Sequence, residues 1–237
     1  MTDREMSITD HLEELRHRLF LGILGILPVS IVAFIFSRQI LDYLIAPVLP
    51  YQHHLVFLSP TDAIYTLVKL ALLTGIVVTS PFLIYQVLAF VSPGLTETER
   101  GWLFRLLAPA AGLFLGGVAF GFYVFLPLIL GFVLRYSGPE LRPMLTINGY
   151  FSFVTAVTLP FGIVFEYPLL VGVLARVGVV SASFLRRSRR YAILVIFVIA
   201  AALAPPDALS MLVMASPMVA LYEVGIVVAA WAERNRI

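Results

Sequence analysis

The stretch FSFVTAVTLPFGIVFEYPLLVGVLA, residues 151–175, is apolar enough to cross a bilayer, yet it carries a carboxylate, Glu166, well inside it. At about 1.5 Å per residue the stretch matches a hydrocarbon core roughly 30 Å thick, where an unpaired charge costs several kcal/mol. Pro160 and Pro168 bracket the acid. A proline removes an N–H and crowds the preceding turn, so the spacing predicts a bend at the charge, with freed backbone groups in need of partners. The expectation is a wet or protein-lined cavity at mid-membrane.

The rest of the chain agrees with that setting. Of its 237 residues 60% are hydrophobic and 13% charged, and the mean hydropathy is +0.98, beyond the range of a soluble domain. Six apolar spans can be drawn, at about 19–36, 64–91, 106–134, 150–175, 191–204 and 208–231. Prolines recur within them, at Pro81, Pro109, Pro127 and Pro217, and bent helices build curved walls. The expected fold is an all-α integral membrane protein. It forms one domain over residues 1–237, with six transmembrane helices in a cup-like arrangement and an external cap.

Arginines set the orientation, because basic loops resist translocation. Arg4, Arg16, Arg18, Arg100, Arg105, Arg186, Arg187, Arg189, Arg190, Arg234 and Arg236 fall on one side, and only Arg38, Arg135 and Arg142 on the other. Both termini are therefore expected in the cytoplasm. The first span follows a polar helix and precedes no small-residue cleavage site, so it reads as a transmembrane helix rather than a signal peptide. Cysteine is absent, which excludes disulfides and thiolate chemistry.

Residues 1–18 read as an amphipathic cytoplasmic helix, with Ile8, Leu12, Leu15 and Leu19 at helical spacing. Residues 37–63, broken by Pro47, Pro50 and Pro60, read as the external cap. Between RRSRR (186–190) and Pro205 the fifth span has only about fourteen apolar residues, too few for a full crossing at normal thickness. Gly112, Gly116, Gly117 and Gly121 offer small residues four apart, a pattern of close helix packing.

No GxxxxGK[ST] loop, HExxH pair or GxSxG elbow is present, and His53 and His54 lack carboxylates at ligand spacing. Neither an enzyme nor a metal, cofactor or nucleic-acid binder is expected. What remains is acid near a basic membrane face: Glu13 and Glu14 in HLEELRHRL, and Glu97 and Glu99 in SPGLTETER. A carboxylate accepts the planar fork of a guanidinium bidentately, so an arginine-bearing ligand is the natural complement. Local roles compete: Glu14 can pair with Arg18, Glu13 with His17, and Glu99 can close a capping box with Thr96. RRSRR reads first as a topology anchor and lipid-headgroup contact. Thr155, Thr158, Gly162 and Glu166 form one helical face expected to line the cavity, with Gln86 a candidate partner for the acid. Glu223 can reach water or Arg234.

HLEELRHRL, APVL, SPFLIYQVLAFVSPGLTETER, FGIVFEYP and APPD, in this order along nearly the whole chain, closely resemble the TatC family, the multi-spanning core of the twin-arginine protein translocase. The resemblance implies a bacterial or archaeal cytoplasmic-membrane receptor. It would bind signal peptides carrying consecutive arginines and, with single-span TatA and TatB partners, export folded proteins using the proton-motive force. It implies Glu14, Arg16 and Glu99 as the signal-peptide patch, Phe90 in support, Pro47 and Asp207 as shape-determining positions, and Glu166 as the intramembrane polar site. Membrane lipid and self-association in a larger complex complete the implied partners. Where the family often has Thr before PPD and Gln after it, Ala204 and Met211 stand here, so a docking edge would rely on packing or on other polar groups such as Ser210 and Ser216. The competing readings are a proton-coupled secondary transporter using Glu166 and a membrane-embedded enzyme.

Overall fold

The computed structural model describes residues 8–49, 55–94, 97–133, 144–203 and 207–234, without the side chains of 8, 97–99 and 133. His53, His54, Thr96, Arg135, Arg142 and Ala204 lie outside these. Among the described residues the regular structure is helical, and five helical stretches are long and apolar enough to cross a membrane: Thr9–Ile35, Pro60–Gly94, Leu107–Phe132, Ile147–Val177 and Ala208–Arg234. The chain is a multi-pass membrane protein. The expected fifth crossing is the helix Arg189–Leu203, whose 15 residues give it a length of about 22 Å. The chain divides into two compact units.

The first unit, residues 1–43 and 67–112, is built on α1 (Ile8–Ile35) and α3 (Pro60–Val91). They run antiparallel in a register marked by His11 against Phe90, Arg18 against Gln86 and Ser30 against Gly75. At the last crossing a Cβ on Gly75 would collide with the Ser30 side chain, so the absent side chain lets the two backbones approach. The opposite face of α1 exposes Leu19, Ile23, Ile31 and Ile35, as suits a helix whose solvent on that side is lipid. After a 3₁₀ turn at Ser92–Gly94, α4 (Glu97–Arg105) buries Leu103 and sets Phe104 against Tyr85, ring centroids 5.8 Å apart.

The prolines were expected to interrupt the spans, but α3 continues through Pro81 and α11 (Ala208–Arg234) through Pro217. The residue before each proline explains why. Proline cannot donate to the carbonyl four residues back; the Ser80 hydroxyl donates to Val77 O at 2.8 Å, and that of Ser216 to Val213 O at 2.9 Å. Ser92 does the same for Ala89 O ahead of Pro93, at 3.0 Å. Each serine satisfies the orphaned carbonyl in a medium where water is not at hand.

The second unit, residues 44–66 and 113–237, holds the rest. Here the helices are interrupted at Pro127 and Pro168, while α7 (Ile147–Phe165) continues through Pro160. Between α5 (Leu107–Phe120) and α6 (Leu126–Val133), the segment Gly121–Phe125 widens to a π turn, Leu126 N–H bonding Gly121 O just ahead of Pro127. α7 (Ile147–Phe165) stops at Glu166, and α8 (Tyr167–Val177) restarts with Pro168 in its first turn, where a missing N–H costs nothing. α8 ends at Gly178, whose φ of 92° only glycine adopts without strain, and Leu174 O accepts from Gly178 N at 3.0 Å.

Among the described residues, two apolar cores fill this unit. Phe125, Ile129, Val157 and Phe161 meet Ala200 of α10 (Arg189–Leu203) and Met214, Ala215 and Met218 of α11. Val171 and Ala175 of α8 meet Ala182 and Leu185 of α9 (Ala182–Arg187) and Tyr222, Ile226 and Ala229 of α11. The cap segment is tied to α7: Ile147 N donates to Val56 O at 3.1 Å, and the Tyr150 hydroxyl to Leu44 O at 2.7 Å, at the end of α2 (Ser37–Ile45). Pro47 lies in the turn that follows, beside the fully buried Val48.

Candidate functional site

The first turns of α1 carry a dense run of charge on a helix that elsewhere meets lipid. Glu14 is the buried member, its side chain 17% exposed. Its Oε1 accepts from Arg18 Nη2 at 3.3 Å, one turn on. The same guanidinium donates through Nη1 to Gln86 Oε1 at 3.3 Å, and Gln86 is itself buried in α3. Glu14, Arg18 and Gln86 thus form one partly desolvated triad across two helices. Beside it His11 stacks on Phe90, ring centroids 4.4 Å apart and planes 19° from parallel. An open hollow of about 570 Å³ runs along this face, lined by Glu13, Glu14, Arg16, His17, Arg18 and Phe20.

Of the residues expected here, the structure brings Glu14 to the triad and Phe90 to the aromatic stack. Arg16 lines the same hollow as Glu14 but is exposed and outside the triad, and its Nη2 donates to Glu13 at 3.3 Å. Glu13 was expected to pair with His17 and instead takes Arg16. Glu99 belongs to α4, but its side chain lies outside the described residues. Gln86, considered as a partner for Glu166, serves Arg18. Spacing along one helix reveals Arg18 as a partner of Glu14; nothing in spacing reveals Gln86, 68 positions away.

The face of Thr155, Thr158, Gly162 and Glu166, expected to line a cavity, is in large part a packed helix crossing. Thr155 and Thr158 donate to Phe151 O and Val154 O, each at 2.8 Å. A Cβ on Gly162 would meet Phe114 and Val118 at 2.9 Å, and one on Gly117 would strike the Phe161 carbonyl. Glu166 sits at the break between α7 and α8, its Oε1 buried and without a hydrogen-bond partner among the described residues.

At the other end of the second unit, Glu223 was expected to reach water or Arg234. Its carboxylate, still half exposed, pairs with Arg189 rather than Arg234, Nη2 to Oε2 at 2.6 Å, which ties RRSRR to α11. Glu233 Oε1 accepts from the N–H of Ala182 at 2.8 Å, and the Tyr222 hydroxyl donates to Leu185 O at 2.7 Å. Asp207 caps α11, its Oδ1 accepting from Ser210 N at 2.7 Å. The Ser210 hydroxyl and N–H directed at it hold the Asp207 carboxyl below the usual aspartate range. Ser210 is fully buried and Ser216 spends its hydroxyl on Val213 O, while Met211 packs against the first apolar core.

These features define a class: a multi-pass helical membrane protein with a partly buried carboxylate–guanidinium–amide triad at the polar end of its first helix. The chain belongs to the TatC family, the Sec-independent protein translocase proteins, whose family model matches residues 10–217. The TatC of Carboxydothermus hydrogenoformans is 39% identical over 97% of this chain and 95% of its own length. TatCy of Bacillus subtilis is 36% identical, over 99% and 93%. The crystal structure of a twin-arginine translocase receptor, TatC, superposes with a TM-score of 0.85 at 36% identity, covering 94% of this chain and 99% of that one.

Proposed function

We propose that this chain is the receptor subunit of a twin-arginine translocase: it binds the Arg-Arg signal peptide of folded cargo at its cytoplasmic face. With TatA- and TatB-type partners it supports export driven by the proton-motive force. The observation that carries the reading is the Glu14–Arg18–Gln86 triad, a carboxylate held partly out of water and already engaged with a guanidinium. Glu14 and Glu99 accept the two signal arginines. The His11–Phe90 stack supplies an apolar floor beside them, and Arg16 holds Glu13. Two charge-assisted contacts contribute about 1.5 to 3 kcal/mol each, a part of the roughly 8 kcal/mol that micromolar recognition takes, and the rest comes from burial of the peptide's apolar segment.

In this reading six helices cross the membrane, with Arg189–Leu203 as the short fifth and both termini cytoplasmic, as the arginine distribution requires. Glu166, at the break between α7 and α8, is a second-stage contact for an inserted signal or partner helix. The receptor works within a larger complex that includes further copies of itself, in the cytoplasmic membrane of a bacterium or archaeon. The test is capture of the detergent-solubilised chain by an immobilised Arg-Arg signal peptide and by its Lys-Lys counterpart. Retention on the first and not the second supports the assignment. Equal retention contradicts it, because an ammonium lacks the fork that a carboxylate accepts bidentately.

A further inference from the structure

The candidate site already contains a guanidinium. Arg18 lies where an arginine ligand of Glu14 would have to lie, donating to Glu14 Oε1 and Gln86 Oε1. Both contacts are 3.3 Å, longer than the usual 2.7–2.9 Å of a charge-assisted bond, and both come from terminal nitrogens. The third nitrogen, Nε, is buried without a hydrogen-bond partner among the described residues. The Arg18 side chain is only 27% exposed, so its donor group is largely desolvated but incompletely satisfied, a costly state for a charged group. Its long stem allows the head to swing from the triad into the adjoining hollow, which Arg18 itself lines.

We infer that Arg18 is an internal competitor for the signal arginine: it occupies Glu14 in the resting receptor and is displaced when the peptide binds. This rests on the function proposed above. Glu14 is thereby kept from being a buried, unpaired carboxylate when no peptide is present, at the cost of affinity. Every ligand pays the same displacement cost. Removing Arg18 therefore tightens binding of Arg-Arg and Lys-Lys peptides by the same factor and leaves their ratio unchanged. The physiological effect is a threshold: a strong arginine ligand clears it, and weaker cationic segments do not.

The measurement is fluorescence-anisotropy titration of the purified full chain in detergent with labelled Arg-Arg and Lys-Lys signal peptides. Arg18→Ala is expected to bind both about tenfold more tightly, the weight of one charge-assisted contact. Arg18→Lys, which keeps the charge but loses the fork, is expected to shift both peptides the same way by a smaller factor; this separates displacement from loss of repulsion and serves alone if the alanine variant does not fold. Weaker or unchanged Arg-Arg binding in the folded variants overturns the inference, since a purely supportive Arg18 would lower affinity on removal. The two readings fail separately: a wild-type chain that shows no Arg-Arg preference sinks the proposed function and this inference with it. A wild-type preference combined with no gain on removing Arg18 sinks this inference alone.

Discussion

The Arg18 guanidinium bridges Glu14, one turn away on its own helix, and Gln86 on the antiparallel helix, at 3.3 Å to each. This bridge fixes which face of α1 turns toward α3, and with it the position of the carboxylate that a ligand must find. The pair is local in sequence, but its setting is tertiary. An exposed i,i+4 pair contributes only a few tenths of a kcal/mol, whereas one joined to a buried amide is less hydrated and harder to dissolve with salt.

Glu14→Gln keeps the shape of the side chain and removes its charge. An Arg-Arg signal peptide is expected to bind about tenfold more weakly, the loss of one charge-assisted bond. Fluorescence anisotropy of a labelled peptide checks this; unchanged affinity removes Glu14 from the site.

The Ser-Pro pairs give a stability prediction. Ser80 is buried, and its hydroxyl is the group that satisfies Val77 O ahead of Pro81. Ser80→Ala is expected to destabilise the chain by about 1 kcal/mol in a detergent unfolding titration. Ser80→Thr, which keeps the donor, should lose less.

Adjacent glycines should respond in opposite ways. A Cβ at Gly116 meets nothing within 4 Å, so Gly116→Ala should be neutral or stabilising by up to about 1 kcal/mol through helix propensity. At Gly117 the same methyl strikes the Phe161 carbonyl, a backbone atom that moves only with its helix, and the overpacking costs about 1 to 3 kcal/mol. Thermal unfolding of the two variants in one detergent decides it. Equal behaviour would mean that the α5–α7 crossing is not as close as described.

Asp207 makes a prediction in pH. Its carboxyl is held below the ordinary aspartate value of 3.8 by the groups of Ser210, so its contribution to stability is present above that value and lost as pH falls through the lower folded one. Asp207→Ala should lower the melting temperature at pH 7, and the gap to wild type should close in acid. Asp207→Asn, still a capping residue, should show a smaller gap. A gap independent of pH would assign the effect to something other than the charged cap.

Five of the six expected spans were legible in the sequence because the bilayer imposes length and apolarity on a crossing, and the same pressure made Glu166 stand out. Pairings within a helix were legible in part: Glu14 with Arg18 follows from spacing, yet Glu13 chose Arg16 over His17, a choice between two positions that spacing ranks alike. Contacts between helices were not. Gln86 beneath Arg18, Phe90 against His11 and Arg189 on Glu223 depend on how helices dock, which composition leaves open. The Thr155–Glu166 stripe misled for a related reason: small and polar residues suit a wet wall and a tight crossing equally, and here the hydroxyls turned back onto their own helix.

The most direct test of the receptor assignment is site-specific photocrosslinking of an Arg-Arg signal peptide to the membrane-embedded chain, comparing wild type with Glu99→Lys. The wild-type crosslink is expected to be lost in the variant, because a cation then stands where a signal arginine must be accepted. A crosslink of undiminished yield in Glu99→Lys would contradict the assignment.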